Sequence, residues 1–245
     1  MPGPEKARAV VLGSRPLGEA DRIVRLFTRE LGRVDAVVKG VRKTTSRWGG
    51  RLEPFNVCDL LLHPGRSLYT VTQAQMVDVF VHLRGDREGL TAAAVVCEAA
   101  AGLTPEHEPE ERVFALLRNT LRELDRGFAG RAVQSPLVLG ALLKLLYEAG
   151  YQPALDRCAA CETGERALAF SAARGGLLCA GCAGEGVPIT PEAVEALRDA
   201  LSLPLAELRE RPSTPSAGEA LRHVHQLYAY HTGSRLRALR IAGAL

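Results

Sequence analysis

The feature that most constrains the fold is a set of four cysteines arranged as two Cys-x-x-Cys pairs. Cys158 and Cys161 form the first pair, and Cys179 and Cys182 follow after 17 intervening residues. A two-residue gap lets both thiolates of a pair face one ion, and two such pairs complete the tetrahedron that zinc prefers. Four thiolates leave no open position for water, so the pattern predicts one structural Zn²⁺ per chain.

The alternatives to a zinc site are two disulfides or four unliganded cysteines. Paired motifs in an intracellular chain favour metal over disulfide. Residues 150–187 carry three arginines against four carboxylates, so this region is not expected to grip phosphate itself. We expect it to hold the fold together or to present a protein-binding face. Cys58 and Cys97 lie in apolar runs and are expected to be buried.

The first 80 residues have the pattern of five short strands. These are KARAVVLGSR, RIVRLFT, RVDAVVK, VCDLLLH and SLYTVTQA, with a turn expected at Pro16 and Gly18. Apolar residues alternate with charged ones in RVDAVVK, which is typical of a half-buried strand. Five short strands with glycine-rich turns favour a small closed barrel of the OB type, because closure removes exposed edges.

After Gln75 the pattern becomes helical, and the whole chain is predicted to be an α+β multidomain protein. The barrel would occupy residues 1–80 and a helical domain residues 81–150 and 188–245, with the zinc region inserted at 151–187. Ser135-Pro136 and Thr190-Pro191 are typical helix starts. Ser216 with Glu219 resembles a capping box.

Positive charge is concentrated in the N-terminal part of the chain. The net charge is +3, but residues 1–80 hold 13 Lys and Arg against 8 Asp and Glu, which leaves the remainder at −2. This asymmetry favours a polyanionic partner for the barrel. The alternative is compositional drift, since Arg outnumbers Lys 27 to 4, but drift does not explain the asymmetry.

The segment from residue 39 to residue 51, KGVRKTTSRWGGR, is basic and contains no carboxylate. A cationic loop on a rigid barrel is suited to following a phosphate backbone. The alternative is a solvated loop. Trp48 either stacks on an unpaired base or packs against the barrel wall. The candidate DNA-binding residues are Lys39, Arg42, Lys43, Arg47, Trp48 and Arg51.

The sequence contains no motif for nucleotide hydrolysis, metalloprotease, zinc deaminase or serine hydrolase chemistry. We therefore expect no enzymatic activity. Two alternatives stay open: a protein-interaction adaptor, and a nuclease that uses Glu19, Asp21 and Asp35. The first ten residues do not resemble a signal peptide, and the apolar run 137–147 is interrupted by Lys144, so a cytoplasmic protein without membrane contact is expected.

Several segments resemble the RecO recombination-mediator family. RPLGEADRIVRLFTRELGRVDAVVKGVRK and SRWGGRLEPF are similar to its N-terminal domain, and GYQPALDRCAAC, GGLLCAGC and YHTGSRLRALR to its zinc region and C-terminal helix. Glu162 stands where the family often has glycine. The resemblance covers about residues 8–240 and is weakest between 85 and 130.

The resemblance implies an OB-fold and a helical domain with an inserted zinc finger. It also implies a nucleoid-associated bacterial protein that binds single- and double-stranded DNA and anneals complementary strands. With RecR, such a protein helps RecA to replace single-strand-binding protein (SSB). The family's DNA-binding basic residues correspond to Lys39, Arg42, Lys43, Arg47 and Arg51.

Overall fold

The computed structural model describes residues 3–42, 46, 48, 50–128 and 131–243. It divides into two compact units. The first comprises Met1–Val81 and Thr104–Leu121, and the second comprises His82–Leu103 and Arg122–Leu245. The predicted fold class is confirmed, because a closed five-stranded barrel precedes a helical body that contains the clustered cysteines.

The barrel strands cover the five segments that the sequence predicts as strands. They are β1 (Glu5–Leu17), β2 (Asp21–Thr28), β3 (Gly32–Val38), β4 (Val57–His63) and β5 (Tyr69–Asp78). Their order around the barrel is β1-β2-β3-β5-β4, and β1 pairs with β4 to close it. All pairings are antiparallel except that of β3 with β5. Every second residue of β3, from Val34 to Val38, is buried inside.

The turn after β1 begins later than predicted. Pro16 lies within β1, and the turn starts at Gly18, whose φ of +57° is a conformation that glycine adopts readily. Proline is tolerated there because β1 pairs with β4 only as far as Val10, and beyond it only with β2. A strand with one open side does not require every backbone N–H.

The segment Thr104–Leu121 belongs to the same compact unit as the barrel. His107 N–H donates to the Arg33 carbonyl at 3.1 Å, and Arg33 Nε donates to the Thr104 carbonyl at 2.9 Å. Gly32 has a φ of +67°, and a Cβ there would lie 2.2 Å from the Glu108 carbonyl oxygen. Residue 32 therefore has to be glycine, because any side chain there would prevent this segment from approaching β3.

The described part of the chain contains eight α-helices. They are α1 (Val81–Gly85), α2 (Arg87–Leu103), α3 (Glu111–Asp125), α4 (Pro136–Glu148), α5 (Pro191–Ser202), α6 (Leu205–Glu210), α7 (Pro215–Thr232) and α8 (Arg237–Ile241). In the second unit α4 is buried nearly all round and packs against α2, α5, α6 and α7. Its Lys144 donates to the Ala200 and Leu201 carbonyls at 2.8 and 2.6 Å, which caps the end of α5. No helix among the described residues is long and apolar enough to cross a bilayer.

Two of the three predicted helix starts are confirmed. Ser135 and Thr190 are N-caps with proline at the first helical turn. The third prediction is wrong: Thr214, not Ser216, caps α7, and its Oγ1 accepts from Ala217 N–H at 3.1 Å. Glu219 instead accepts from the backbone N–H and hydroxyl of Thr190 at 2.8 and 2.7 Å. It thus reinforces the start of another helix.

The region between α4 and α5 contains a small sheet. Its strands are β6 (Ala167–Ser171), β7 (Gly176–Cys179) and β8 (Val187–Pro188), in the order β7-β6-β8. A further bridge joins Ala154 to Gly176, where a Cβ would lie 2.4 Å from the Ala154 carbonyl oxygen. The sheet and this bridge bring the two cysteine pairs to the same place.

Candidate metal centre and nucleic-acid interface

The four paired cysteines converge on one point. The sulfur atoms of Cys158, Cys161, Cys179 and Cys182 all lie within 4.8 Å of one another. The Cys161 and Cys179 sulfurs are 3.6 Å apart, far longer than a disulfide bond of about 2.05 Å. A tetrahedral zinc with Zn–S bonds of about 2.3 Å has sulfur–sulfur edges of about 3.8 Å. The donor set and its spacing therefore fit a metal ion.

Backbone hydrogen bonds shape the first cysteine pair into a tight knuckle. Cys158 N–H donates to the Thr163 carbonyl, and Glu162 N–H donates to the Cys158 carbonyl, both at 2.9 Å. Glu162 has a φ of +61°, the left-handed conformation that a side chain disfavours by about 1 kcal/mol. The glutamate therefore keeps the turn that glycine would form, at a cost in backbone strain. Ala159 N–H donates to the Leu177 carbonyl at 2.7 Å and ties the knuckle to β7.

The second pair begins at the end of β7 and continues into a short 3₁₀ turn. Cys182 N–H donates to the Cys179 carbonyl, and Glu185 N–H donates to the Cys182 carbonyl, both at 3.1 Å. Cys158 and Cys179 are buried together with Ala169 and Leu178, whereas Cys161 is exposed. One side of the cluster is therefore built into the small core, and the other faces solvent.

The cysteines of the cluster differ from one another in acidity. Backbone N–H groups, above all that of Cys179, lower the pKa of Cys158 to about 6, so this thiol loses its proton readily. The neighbouring Cys161 thiol, followed by burial, raises the pKa of Cys182 to about 12. Four sulfurs this close cannot all ionise unless a cation balances them. Cys58 and Cys97 lie elsewhere, and burial raises the pKa of each to about 12.

The basic loop that follows β3 is fastened to the turn between β1 and β2. Gly40 N–H donates to the Asp21 carboxylate at 2.8 Å, and Arg42 N–H donates to the Ala20 carbonyl at 3.0 Å. The Arg42 guanidinium donates to the Gly18 carbonyl at 3.0 Å. The start of the loop therefore has a defined position on one end of the barrel.

Trp48 lies in the barrel core rather than on its surface. Only 4% of the residue is exposed, and it packs with the inward-facing residues of the barrel. Its Nε1–H donates to the Lys39 carbonyl at 2.9 Å. The sequence leaves open whether Trp48 stacks on a base or packs against the barrel wall, and in the structure it packs. An indole in this position has no free face for a base. The DNA-binding set proposed below therefore omits Trp48.

The other candidate DNA-binding residues fall into three groups. Lys39 and Arg42 are exposed. Arg51 is half-buried, and its guanidinium donates to the Trp48 carbonyl at 3.0 Å. Lys43 and Arg47 lie outside the described residues. Within the described part of the chain, the cations that the loop presents to solvent are thus Lys39 and Arg42.

Most other arginines of the barrel unit are engaged with carboxylates. The ion pairs are Arg8–Asp59, Arg22–Glu53, Arg25–Asp35, Arg29–Glu111 and Arg33–Glu106, at distances of 2.5 to 3.1 Å. Two of these carboxylates come from Thr104–Leu121. With that segment included, the first unit contains 15 basic and 12 acidic residues. Arg15, by contrast, is exposed on β1 close to the turn that holds the basic loop.

The three carboxylates considered for nuclease chemistry are not gathered into a site. Asp35 binds Arg25 through both oxygens, Asp21 accepts from Gly40 N–H, and Glu19 is exposed in the turn. Among the described residues, the cysteine cluster is the group of metal-ligating side chains that the structure brings together. The nuclease alternative therefore finds no support in this geometry.

Asn56 is a structural residue of the loop that the sequence patterns do not single out. It is 1% exposed, and its Nδ2 donates to the Gly50 and Arg51 carbonyls at 3.0 and 3.1 Å. Its backbone also bonds to Val11 and Glu53. The sequence signal is weak, because it is one asparagine that directly precedes an apolar strand.

Comparison with known proteins matches both parts of the chain to one family. Residues 1–80 match the family model "Recombination protein O N terminal", and residues 84–240 match "Recombination protein O C terminal". The chain is similar to a DNA repair protein RecO from Frankia casuarinae, with 46% identity over 78% of this chain and 79% of that protein. A DNA repair protein RecO from Rubrobacter xylanophilus is 39% identical over 89% of this chain and 88% of its own length. One from Pelotomaculum thermopropionicum is 39% identical over 83% and 79%, respectively. The chain therefore belongs to the RecO family of DNA repair proteins.

Proposed function

We propose that this protein is a non-catalytic recombination mediator that binds single- and double-stranded DNA at the loop end of its barrel and anneals complementary strands. Two such strands repel each other through their phosphates. A cationic surface that holds both lowers this repulsion without consuming nucleotide. Together with RecR, the protein would also help RecA to replace SSB on single strands. We place this activity in the bacterial cytoplasm, at the nucleoid.

The observation that carries the proposal is the contrast between the loop and the five ion-paired arginines of the barrel. Five barrel arginines are ion-paired, whereas Lys39 and Arg42 are exposed at the start of a segment that contains no carboxylate. Arg42 forms its guanidinium hydrogen bond with a neutral carbonyl, so it keeps its full positive charge for a phosphate. We include Arg51, Lys43 and Arg47 in the proposed interface on the basis of their place in the same loop.

A salt titration tests this assignment. Each phosphate contact contributes about 0.9 to the slope of log K against log salt for duplex DNA, and about 0.7 for single strands. Replacing Lys39 and Arg42 together with alanine should therefore flatten the slope by about 1.8 for duplex and about 1.4 for single strands. The control is Lys6→Ala, which removes one positive charge from an exposed site at the far end of β1.

The outcomes of this titration separate the alternatives. A flattened slope in the double variant and an unchanged one in Lys6→Ala support the loop as the interface. An unchanged slope in the double variant moves the interface elsewhere. If the wild type does not bind bare oligonucleotide at physiological salt, the result favours a protein-interaction adaptor. Cleavage of labelled DNA with magnesium would favour a nuclease.

Annealing and partner binding require separate assays. The wild-type protein should speed the pairing of complementary oligonucleotides without nucleotide, and the Lys39→Ala/Arg42→Ala variant should do so less. Binding to purified RecR, and RecR-dependent loading of RecA onto SSB-coated strands, test the mediator role. If the protein binds DNA but does not speed pairing, the proposal of DNA binding stands and the proposal of annealing is contradicted.

We also propose that the four-cysteine cluster holds one structural Zn²⁺ and that residues 151–187 form a zinc-finger insertion between two parts of a helical domain, 81–150 and 188–245. The barrel domain would correspond to residues 1–80. Cys158, Cys161, Cys179 and Cys182 would each supply one thiolate. The four-sulfur donor set and its spacing support zinc, which accepts tetrahedral thiolate ligation and, when closed by protein ligands, stabilises a fold.

A further inference from the structure

Two of the exposed aromatic side chains of the second unit contact the same histidine. Tyr147, Tyr151 and Tyr230 have 44%, 37% and 58% of their surface exposed, and they are the exposed aromatic residues in the described part of the chain. Tyr151 stacks on His231 with ring centroids 4.1 Å apart, and Tyr230 contacts the same imidazole edge-on at 5.3 Å. His231 therefore connects Tyr151 and Tyr230 into one aromatic surface.

The ends of two helices fix this surface. Gly150, with a φ of +83°, ends α4, and the N–H groups of Gly150 and Tyr151 donate to the Tyr147 and Leu146 carbonyls. Gly233, with a φ of +67°, ends α7 two residues after His231. Hydrogen bonds fix the backbone on both sides, and the contacts of Tyr151 and Tyr230 with His231 restrict the rings, which lowers the entropy cost of binding.

Two exposed arginines lie on either side of Tyr230 along the chain. After Glu219 the chain contains four arginines and no carboxylate. Arg222, Gln226 and Tyr230 are exposed at intervals of one helical turn on α7, so Arg222 precedes Tyr230 by about 12 Å along the helix. Arg235 follows Tyr230 directly after the helix. Within the described part of the chain, neither Arg222 nor Arg235 forms an ion pair.

This combination points to a specific type of ligand. Helix C-termini carry partial negative charge, so the ends of α4 and α7 disfavour a phosphate placed directly on them. Neutral rings there suit the faces of unpaired bases, and the flanking arginines suit the phosphates on either side. Burial lowers the pKa of His231, which keeps the imidazole neutral and able to pack as an aromatic ring. An acidic peptide would use the arginines but would leave the exposed ring faces without a partner.

We propose that Tyr230, supported by Tyr151 and His231, is a base-stacking site for single-stranded nucleic acid, separate from the phosphate-binding loop of the barrel. The site extends the proposed function, because it gives the helical unit a contact that unpaired strands make and duplex does not. Bases within a duplex are already stacked on one another, and their faces are not available to the tyrosine.

The test compares two substitutions at Tyr230 in the full-length protein. Tyr230→Phe keeps the ring, whereas Tyr230→Leu keeps an apolar side chain without one. Base–aromatic stacking predicts that Tyr230→Leu weakens binding of oligo(dT) by roughly 5- to 150-fold, with wild-type affinity for Tyr230→Phe. The salt slope should not change, because no charge is removed. The exposed Tyr230 side chain has few packing contacts to lose, and equal thermal unfolding midpoints would establish that both variants are folded.

Two further measurements separate stacking from other roles. An oligonucleotide of the same length without bases should bind equally to wild type and Tyr230→Leu, and light-induced cross-linking of a 5-bromouracil oligonucleotide should label Tyr230 or Tyr151. An equal loss on the baseless strand, cross-links confined to the barrel, or wild-type binding by Tyr230→Leu would each overturn the inference. So would the finding that Tyr230→Leu impairs binding of a protein partner and leaves oligo(dT) binding intact.

These results also distinguish the two proposals. If Lys39→Ala/Arg42→Ala flattens the salt slope and Tyr230→Leu binds normally, the barrel interface stands and the stacking site is wrong. If the wild type binds no DNA, both are wrong. If only Tyr230→Leu weakens binding, the stacking site stands and the loop assignment fails.

Discussion

The cysteine cluster makes a prediction whose size follows from linkage between metal binding and folding. Cys179 is 4% exposed, ends β7 and packs with Cys158 and Leu178. An ion held at this point connects the first knuckle to β7, so it binds the folded unit in preference to the unfolded chain. Free metal at 100 to 1,000 times its dissociation constant stabilises the folded state by about 2.7 to 4.1 kcal/mol.

Replacing Cys179 with alanine removes one ligand and should remove most of this stabilisation. For a unit of this size, about 4 kcal/mol corresponds to a midpoint shift of roughly 8 to 16 °C. The matched control is Cys97→Ala. Cys97 is equally buried and lies in the same unit, in α2, but it is not part of the sulfur cluster.

The assay is thermal unfolding with and without a chelator, together with elemental analysis. The wild type and Cys97→Ala should contain one zinc per chain and lose stability when the chelator is added. Cys179→Ala should contain little zinc and should respond little to the chelator. A wild-type protein without metal, or a chelator effect of equal size in Cys179→Ala, would refute the reasoning.

Two further predictions concern buried rings. Trp48 is the protein's only tryptophan, and its emission should be that of a buried indole and should change little when oligo(dT) binds, whereas strong quenching on binding would contradict its burial. His225 Nε2 accepts from Leu236 N–H at 3.2 Å, and burial lowers the pKa of His225, with Arg235 lowering it further and Glu98 opposing. Because the unfolded chain takes up a proton that the folded state excludes, stability should fall as pH drops below about 6.5, by up to about 1.4 kcal/mol per pH unit for this one histidine. Denaturant unfolding between pH 5 and 7 should show a shallower dependence for His225→Gln, which keeps an acceptor but cannot titrate, and equal slopes would contradict this.

The features that sequence predicts well here depend on neighbours a few residues apart. The alternation in β3, the prolines after Ser135 and Thr190, and the spacing within each cysteine pair all act over one turn or one pleat. The structure accordingly contains the strand, both helix starts and the cluster of cysteines. Glu162, which stands where the family often has glycine, adopts a positive φ, and the sequence did not predict that conformation.

The features that sequence does not predict depend on residues far apart in the chain. Glu219 could form a capping box with Ser216, which is near in sequence. In the structure it instead accepts hydrogen bonds from Thr190, 29 residues away. Trp48 lies in a glycine-rich basic loop, and nothing local says that its ring turns inward. The pairing of Arg29 with Glu111 spans 82 residues. Each of these contacts exists only after the fold has formed, so no local pattern encodes it.

The difference between charge counted along the chain and charge available at a surface matters for the mechanism. By composition the first 80 residues have five more cations than anions, yet Arg29 and Arg33 are matched by carboxylates of the segment after α2. A slope calculated from the excess of five would be about −4.5 on duplex DNA, whereas Lys39 and Arg42 alone give about −1.8. Exposed ion pairs contribute little to stability and are screened by salt, but a paired arginine must leave its carboxylate before it can hold a phosphate. The measured slope therefore counts the cations that are ready to bind, and Lys39 and Arg42 at the start of the loop after β3 are two of them.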